Sequence, residues 1–309
     1  MAEMTDGQHL NQYVAPQLLA EFRNYRDDFI GVLPGVPKAA LTADGVRFNK
    51  LINNVGFRVN NTEEFTPKQM NGKKVFVPWE HYDTEPTSVN DEEIRSLSYD
   101  KRATVRVKHS EAFKIGIRNH IMHKLCPDNA TSSDMPVVRT TGVDDGKGRL
   151  RLTFADLVEY LEVVKKLDLP LMDQLYMILN PEHSTDLILD RDSAAYFADR
   201  NIFFDVQSGK VKSVMGFKFF ENNNCPAFNQ AGEKLAKGAV LTSTDRNASL
   251  FFYAPNALYH LDSVKILYTP ETTDTKSASP TSIFRTQTYG LVDRVQDYGF
   301  GAIVSGIKA

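Results

Sequence analysis

Cysteine is nearly absent. Cys126 and Cys225 are the only two in 309 residues, far apart in sequence, so the dense disulfide framework that staples small secreted domains is excluded. Both read as free thiols of a reducing cytoplasm. An excess of charge of one sign is missing as well. With 36 Lys and Arg against 39 Asp and Glu the net charge is -3, which gives the chain no general attraction for DNA or an acidic membrane surface. No apolar run approaches the length of a membrane span, and Met1 to Gln12 is polar without the apolar stretch of a signal peptide. The expectation is a chain neither exported nor inserted into a membrane. Fixed-period repeats and low-complexity tracts are also missing.

Motifs that carry chemistry are equally scarce. No Gly-x-Ser-x-Gly elbow occurs, and neither cysteine has a nucleophile context. Gly142 to Gly148 superficially suggests a phosphate loop, but Gly rather than Ser or Thr follows Lys147 and the glycines are wrongly spaced, so a flexible turn is expected. Gly299 and Gly301 lack the third glycine of a dinucleotide fingerprint and read as turn or strand-packing positions. Asp186, Asp190, Asp192 and Asp199, interspersed with Arg191 and Arg200, read as a solvated face rather than paired catalytic carboxylates. His120, His123 and Cys126 recur every three residues on one helix, a spacing that presents metal ligands from adjacent turns. Further ligands and the Glu of a zinc-hydrolase helix are not nearby, so these read as helix-surface or interface side chains. No catalytic residue, cofactor or metal is assigned.

What the sequence does contain is a proper core. Its 42% apolar content suffices for one large domain or two moderate ones. Val14, Leu18, Leu19 and Phe22 fall at helical spacing, and Gly31 to Pro37 ends any regular element. Leu41 to Gln69 stays open between helix and strand. Lys73 to Trp79 and Ala103 to Lys108 alternate as strands, predicting a long hairpin whose far end is acidic and whose returning strand is basic. A ribbon with so little apolar surface is marginal alone and should pack on something else. Ser110 and Glu111 open a helix with Phe113, Ile117, Ile121 and Leu125 on one face, broadened by Ile115 and Met122 and stopped by Pro127. Thr153 caps a second helix carrying Phe154, Leu157, Val158, Leu161, Val164 and Leu167. Leu175 to Leu179 reads as a buried strand, and Asn180-Pro181 starts a helix reaching about Phe197. Val211 to Phe220, Leu250 to Tyr259, Val264 to Tyr268 and Ile283 to Ile303 are strand-like. The mixed order of elements predicts α+β.

Several of these segments resemble the major capsid proteins of tailed double-stranded DNA bacteriophages. They are Leu179-Asn180-Pro181 with its following helix, Gly209 to Phe219 with its Gly216-Phe217 pair, Asn224-Cys225-Pro226, Tyr289-Gly290, and the closing Tyr298-Gly299-Phe300-Gly301-Ala302-Ile303-Val304. The order of an arm, a charged hairpin, a helix and two lobes is similar to the Hong Kong 97 type of capsid fold. The resemblance covers nearly the whole chain and implies an N-terminal arm (1–60), an extended loop (61–109), a spine helix with the first part of a peripheral domain (110–152), an axial domain (153–261) and the closing strands of the peripheral domain (262–309). It further implies a non-enzymatic shell subunit in the virion, assembled in the bacterial cytoplasm. Partners would be its own copies in pentamers and hexamers, with scaffolding, portal and decoration proteins and weak non-specific contact with packaged DNA.

Such a subunit must bury surface against several neighbours, and extended ribbons reach across subunits better than compact lobes. On the expected hairpin, Phe76 or Trp79 could anchor a neighbour while Arg102 and Arg106 register it by charge. A solvated charge pattern would look the same. Two alternatives remain at this stage: an encapsulin-like compartment of the same fold that encloses cargo enzymes, and a metal-dependent enzyme using His120 and His123.

Overall fold

The computed structural model describes residues 28–51, 59–62, 64, 72–90, 101–190 and 216–308. In chain order the strands are β1 (Leu41–Thr42), β2 (Gly45–Leu51), β3 (Gly72–Pro78), β4 (Glu80–Asp83) and β5 (Thr87–Asn90), followed by helix α1 (Lys101–Leu125). Then come β6 (Val137–Arg139), β7 (Arg149–Leu150), α2 (Phe154–Lys165), β8 (Leu175–Leu179), α3 (Pro181–Leu189), β9 (Phe217–Glu221), β10 (Ala227–Phe228) and β11 (Arg246–Tyr253). The remaining strands are β12 (Ala257–Leu261), β13 (Lys265–Thr269), β14 (Thr281–Arg294), β15 (Phe300–Val304) and β16 (Gly306–Ile307), with a short 3-10 turn at Glu271–Thr273. The architecture is α+β, with its sheets largely antiparallel and its helices laid on their faces.

A mixed sheet in the order β6-β15-β11-β8-β9 forms the centre of one lobe. Its central strands β8, β11 and β15 are buried on both faces, which explains why they read as apolar runs rather than alternating ones. Leu250 and Phe252 of β11 point to a core shared with α1, while Phe251 and Tyr253 point to a second core under α2. Helix α2 begins as its sequence dictates: the Thr153 side chain accepts from the Asp156 amide and the Asp156 carboxylate accepts from the Thr153 amide, a reciprocal cap. Tyr160 is fully buried there and its hydroxyl lies over Gly301, where any side chain would overlap it. Asn180 caps α3 by accepting from the Glu182 and His183 amides, with Pro181 in the first turn.

The second lobe is a sheet built around β14, whose 14 residues pair with β12 and β13 on one side and with β4 and β5 on the other. Helix α1, about 37 Å long at the usual rise, packs on its inner face. That seam is partly polar. His109 sits between the hydroxyls of Thr84 at 2.7 Å and Thr87 at 2.8 Å, and Thr84 in turn meets Thr286 of β14 at 3.1 Å. Buried polar groups are therefore paired across the helix–sheet boundary.

Several expectations change. Ala103 to Lys108 is not a strand but part of α1, so the hairpin predicted between 73–79 and 103–108 does not exist. Once the strongly apolar part of the helix is formed, each added residue gains a hydrogen bond without a new nucleation cost, and a six-residue alternating run is too short to resist. The partner of β3 is β2, from the span that sequence left open. Ile115, expected on the apolar stripe, is 48% exposed, whereas Met122 is buried. Leu250 to Tyr259 is broken by a short turn at Ala254–Asn256 around Pro255 into β11 and β12, which enter different sheets. Strand β15 joins the sheet of β8 and β11, while β12 joins that of β14, so the lobes exchange strands across the 261/262 boundary. Asp186 is buried rather than solvated, because Arg149 grips it through two hydrogen bonds of 2.6 and 2.9 Å and the Leu152 amide donates to it. Asp190 accepts from the Phe154 amide. Helix α3 ends at Leu189, where Asp190 turns extended, short of the expected end near Phe197. Residues 14–27 of the expected N-terminal helix and residues 211–215 lie outside the described residues, as do Asp192 and Asp199.

Candidate assembly surface

Strands β2 and β3 form an antiparallel ribbon in which Val46 faces Val77 and Phe48 faces Val75 on one side. That side packs at its root on Leu258 and Leu291 of the β14 sheet. The opposite side places Arg47 across from Phe76 and Asn49 across from Lys74, all four exposed. The Arg47 guanidinium stands 5.5 Å from the centre of the Phe76 ring, a cation–π contact that holds the ring outward. Phe76 remains 46% exposed.

Trp79 is placed differently. Its indole N–H donates to the Thr42 carbonyl at 3.2 Å and its ring tilts against His260 at 5.4 Å, so it fastens the ribbon root inside the subunit. The next residue, Glu80, ties that root to α1. Its carboxylate accepts from His120 at 2.6 Å, from Lys124 at 2.8 Å and from the Tyr82 hydroxyl at 2.9 Å. Partial burial works to raise its pKa, but these donors outweigh it and hold the group at about 2. Tyr82 moves upward, through burial and then the neighbouring carboxylate.

Arg102 and Arg106, expected on a hairpin strand, lie in α1, and Arg106 is half-buried. They therefore stand on a different element from Phe76 and Trp79, in a helix rather than on a shared hairpin. His120, His123 and Cys126 do not converge: His120 meets Glu80, His123 Nε2 meets the Leu235 carbonyl at 3.0 Å, and Cys126 is buried, its thiol pushed up to about 12 by burial. Among the described residues no group of three or more potential ligands could hold a metal ion. His183 lies between the hydroxyls of Ser249 at 2.7 Å and Ser305 at 2.8 Å, a pairing that elsewhere activates a nucleophile. All three side chains are sealed from solvent, so here it cross-links α3 to the central sheet. The Gly142 to Gly148 loop turns its amides onto its own carboxylates: Asp144 accepts from Gly146 and Gly148, and Asp145 from Lys147 and Arg149.

One concavity stands out: an open groove of about 880 Å³ between α1 and the β4–β5 edge. One wall brings Glu80, Asp83 and Glu85, and the other Ala112, Phe113 and Gly116. The sequence missed this surface because the acidic residues were assigned to the tip of a hairpin and Arg47 fell in the unassigned span. The alternation of Val46 and Phe48 with Arg47 and Asn49 was the available signal.

No protein-family profile matches the sequence, and no curated protein matches it. Solved structures do. The chain superposes on the capsid of cyanophage Pam1 with a TM-score of 0.65 at 10% identity, covering 90% of this chain and 89% of that one. The capsid of cyanophage P-SCSP1u gives 0.61 at 14% identity, over 90% and 87%. The capsid of Ralstonia phage GP4 gives 0.60 at 12% identity, over 90% and 88%. The likeness is therefore one of fold: the chain has the Hong Kong 97-type capsid fold over nine-tenths of its length. No helix among the described residues is long and apolar enough to cross a membrane.

Proposed function

We propose that this chain, which has the Hong Kong 97-type capsid fold, is the major capsid protein of a tailed phage and builds the pentamers and hexamers of an icosahedral head around double-stranded DNA. The observation that carries the reading is the near end-to-end correspondence with chains of assembled capsids, at TM-scores of 0.60 to 0.65. A second feature supports it. Beyond its root, where β1 adds a short third strand, a two-stranded ribbon is marginal in water unless something covers it, and the outer face of β2–β3 carries an exposed aromatic, as a surface meant for a neighbour does.

In this reading the working parts are surfaces rather than a reaction centre. Phe76 belongs to the contact surface, while Trp79 sets the root from which it projects. Arg102 and Arg106 act from α1. Near-neutral net charge suits a lining that confines DNA through weak, non-specific contacts. Scaffolding, portal and decoration proteins complete the set of partners, and the assembled product resides in the virion after assembly in the host cytoplasm.

The test is the assembly state of the purified chain, by size-exclusion chromatography with light scattering followed by negative-stain electron microscopy. Rings or closed shells are expected. A monomer or dimer that stays so at high concentration and with scaffolding protein added overturns the reading. Shells filled with protein cargo instead of nucleic acid would move it to an encapsulin-like compartment.

A further inference from the structure

Between Leu235 and β11 the chain makes an excursion in which residues 236–244 are all exposed. Both ends of it are fastened. The Lys237 ammonium reaches the Gly116 carbonyl at 3.4 Å, and at the far end the Thr242 amide and hydroxyl each donate to the Asp245 carboxylate at 2.8 Å. Between them the Ala239 amide donates to the Ala236 carbonyl across a turn in which Gly238 takes a φ of 79°, a conformation that favours glycine. The tip is apolar. Val240 is 92% exposed, more than any other large apolar side chain among the described residues, and Leu241 follows it at 46%. The amides of Gly238, Val240 and Leu241 have no protein partner among the described residues.

Beside this excursion lies a second cavity, of about 430 Å³, whose wall includes Leu235 to Ala239 and Leu241 but not Val240. Asn119, Asn223, Asn224 and Asn247 line it, no carboxylate does, and Lys237 is its only Lys or Arg. The side-chain oxygen of Asn119 is shut off from solvent without a hydrogen-bond partner among the described residues, so it calls for a donor. An amide side chain presents an acceptor and two donors on one fork, which matches the N–H and C=O groups of an open peptide backbone.

We infer that the 238–241 tip of one subunit seats in this cavity of a second copy, its open backbone on the asparagine side chains, while the second copy's tip seats in the first. The inference rests on the shell-subunit reading and adds a contact between subunits that is separate from the ribbon. What each surface lacks selects the occupant. The cavity offers unpaired amide groups and no carboxylate, and the tip brings free backbone amides, small side chains and no acid. Tip and cavity border each other on one face, so a single face-to-face approach of two copies fills both cavities. The contact is therefore isologous, with a twofold axis, unlike the head-to-tail contacts that close rings. In a shell it joins one ring to the next.

The experiment uses a thiol already on the cavity wall. Cys225 is partly exposed there, while Cys126 is buried. In assembled Val240→Cys protein, mild oxidation should couple position 240 of one copy to Cys225 of another. Each pair closes on itself, so non-reducing electrophoresis should show dimers and no ladder of higher multimers. Adding Cys225→Ser should abolish the coupling. As a second variant, Val240→Asp changes only a solvent-exposed side chain and should lower the yield of closed shells about tenfold, with rings and the thermal melt as in wild type. No coupling in assembled Val240→Cys protein, dimers that persist with Cys225→Ser, a ladder, or an unaltered shell yield from Val240→Asp overturns the inference and leaves the shell reading in place. A different protein occupying the cavity would give the first of these results. Wild-type chain that forms neither rings nor shells overturns both.

Discussion

The ammonium of Lys234 lies 2.9 Å from the carbonyl oxygen of His123 and 3.0 Å from that of Cys126. A residue more than a hundred positions downstream thereby caps the C-terminal end of α1, where carbonyls have no partner within the helix and the dipole is negative. Asp128 completes the arrangement, meeting Lys234 at 2.6 Å and Arg294 at 3.3 Å, so the helix end, the 229–235 loop and the end of β14 share one charge cluster. Lys234 is only 7% exposed.

Replacing that ammonium should be costly. Lys234→Met keeps the buried stem but strands two carbonyls and leaves Asp128 with one partner fewer, for an expected loss of about 2 kcal/mol. Urea unfolding checks it: the midpoint should fall with an unchanged slope. A midpoint equal to wild type would show that water replaces the cap.

His183 makes stability sensitive to mild acid. Burial holds its folded pKa at about 4 against 6.5 for the free side chain. Above 6.5 neither state binds the proton. Between 6.5 and 4 the unfolded chain takes it up and the folded one does not, so stability falls as pH drops through this window, by about 3 kcal/mol. Below it the loss levels off. Stability measured by denaturant from pH 7 to 4 should show that slope, and His183→Asn should flatten it.

Glu80 acts in a lower window and through the opposite kind of shift. Its folded pKa near 2 lies below the free value of 4.5, so its contribution is complete above 4.5 and is lost as pH falls toward 2. Contact with water reduces the worth of the clamp to about 2 kcal/mol or less. Glu80→Gln should remove this part of the acid profile and loosen the ribbon root, seen as faster amide exchange at Val77 and Trp79. Unchanged exchange there would separate the clamp from the ribbon.

Gly301 has no room for a side chain beneath the Tyr160 hydroxyl and the Pro136 carbonyl. Gly301→Ala should cost about 2 kcal/mol by overpacking, while Tyr160→Phe, which removes only a 3.4 Å hydrogen bond to Pro136, should cost well under 1 kcal/mol. The two melting temperatures test the ranking. Equal losses would mean that the tyrosine hydroxyl, not the close approach, matters.

Local signals were legible wherever one element carried its own instructions. Thr153 with Asp156, Asn180 with Pro181, and Pro127 after Leu125 mark helix ends that the structure keeps. Runs such as Leu175 to Leu179 were legible as buried strands because both faces are covered. Information that lives between distant residues was not. The Val105–Val107 alternation fits a strand as well as a helix, and only continuity with Phe113 to Leu125 decides it. The grip of Arg149 on Asp186, the cap at Lys234 and the register of β2 with β3 join positions whose pairing no local pattern records. Phe76 could be named from the sequence as a candidate contact residue, whereas its pairing with Arg47 depends on that register.

Strand β14 has a mechanical consequence. At about 3.3 Å per residue its 14 residues span roughly 46 Å, with hydrogen-bonded neighbours along both edges and α1 laid across one face. A pull along this strand loads its ladders in shear, so many bonds must yield together, whereas a pull on the β2–β3 ribbon is resisted at its root by the Trp79 and Glu80 contacts and the apolar patch of Leu258 and Leu291. The subunit is thus a stiff bar with a compliant lever. A load applied from outside will gather in the lever, and the bar will carry tension through the molecule with little change in length.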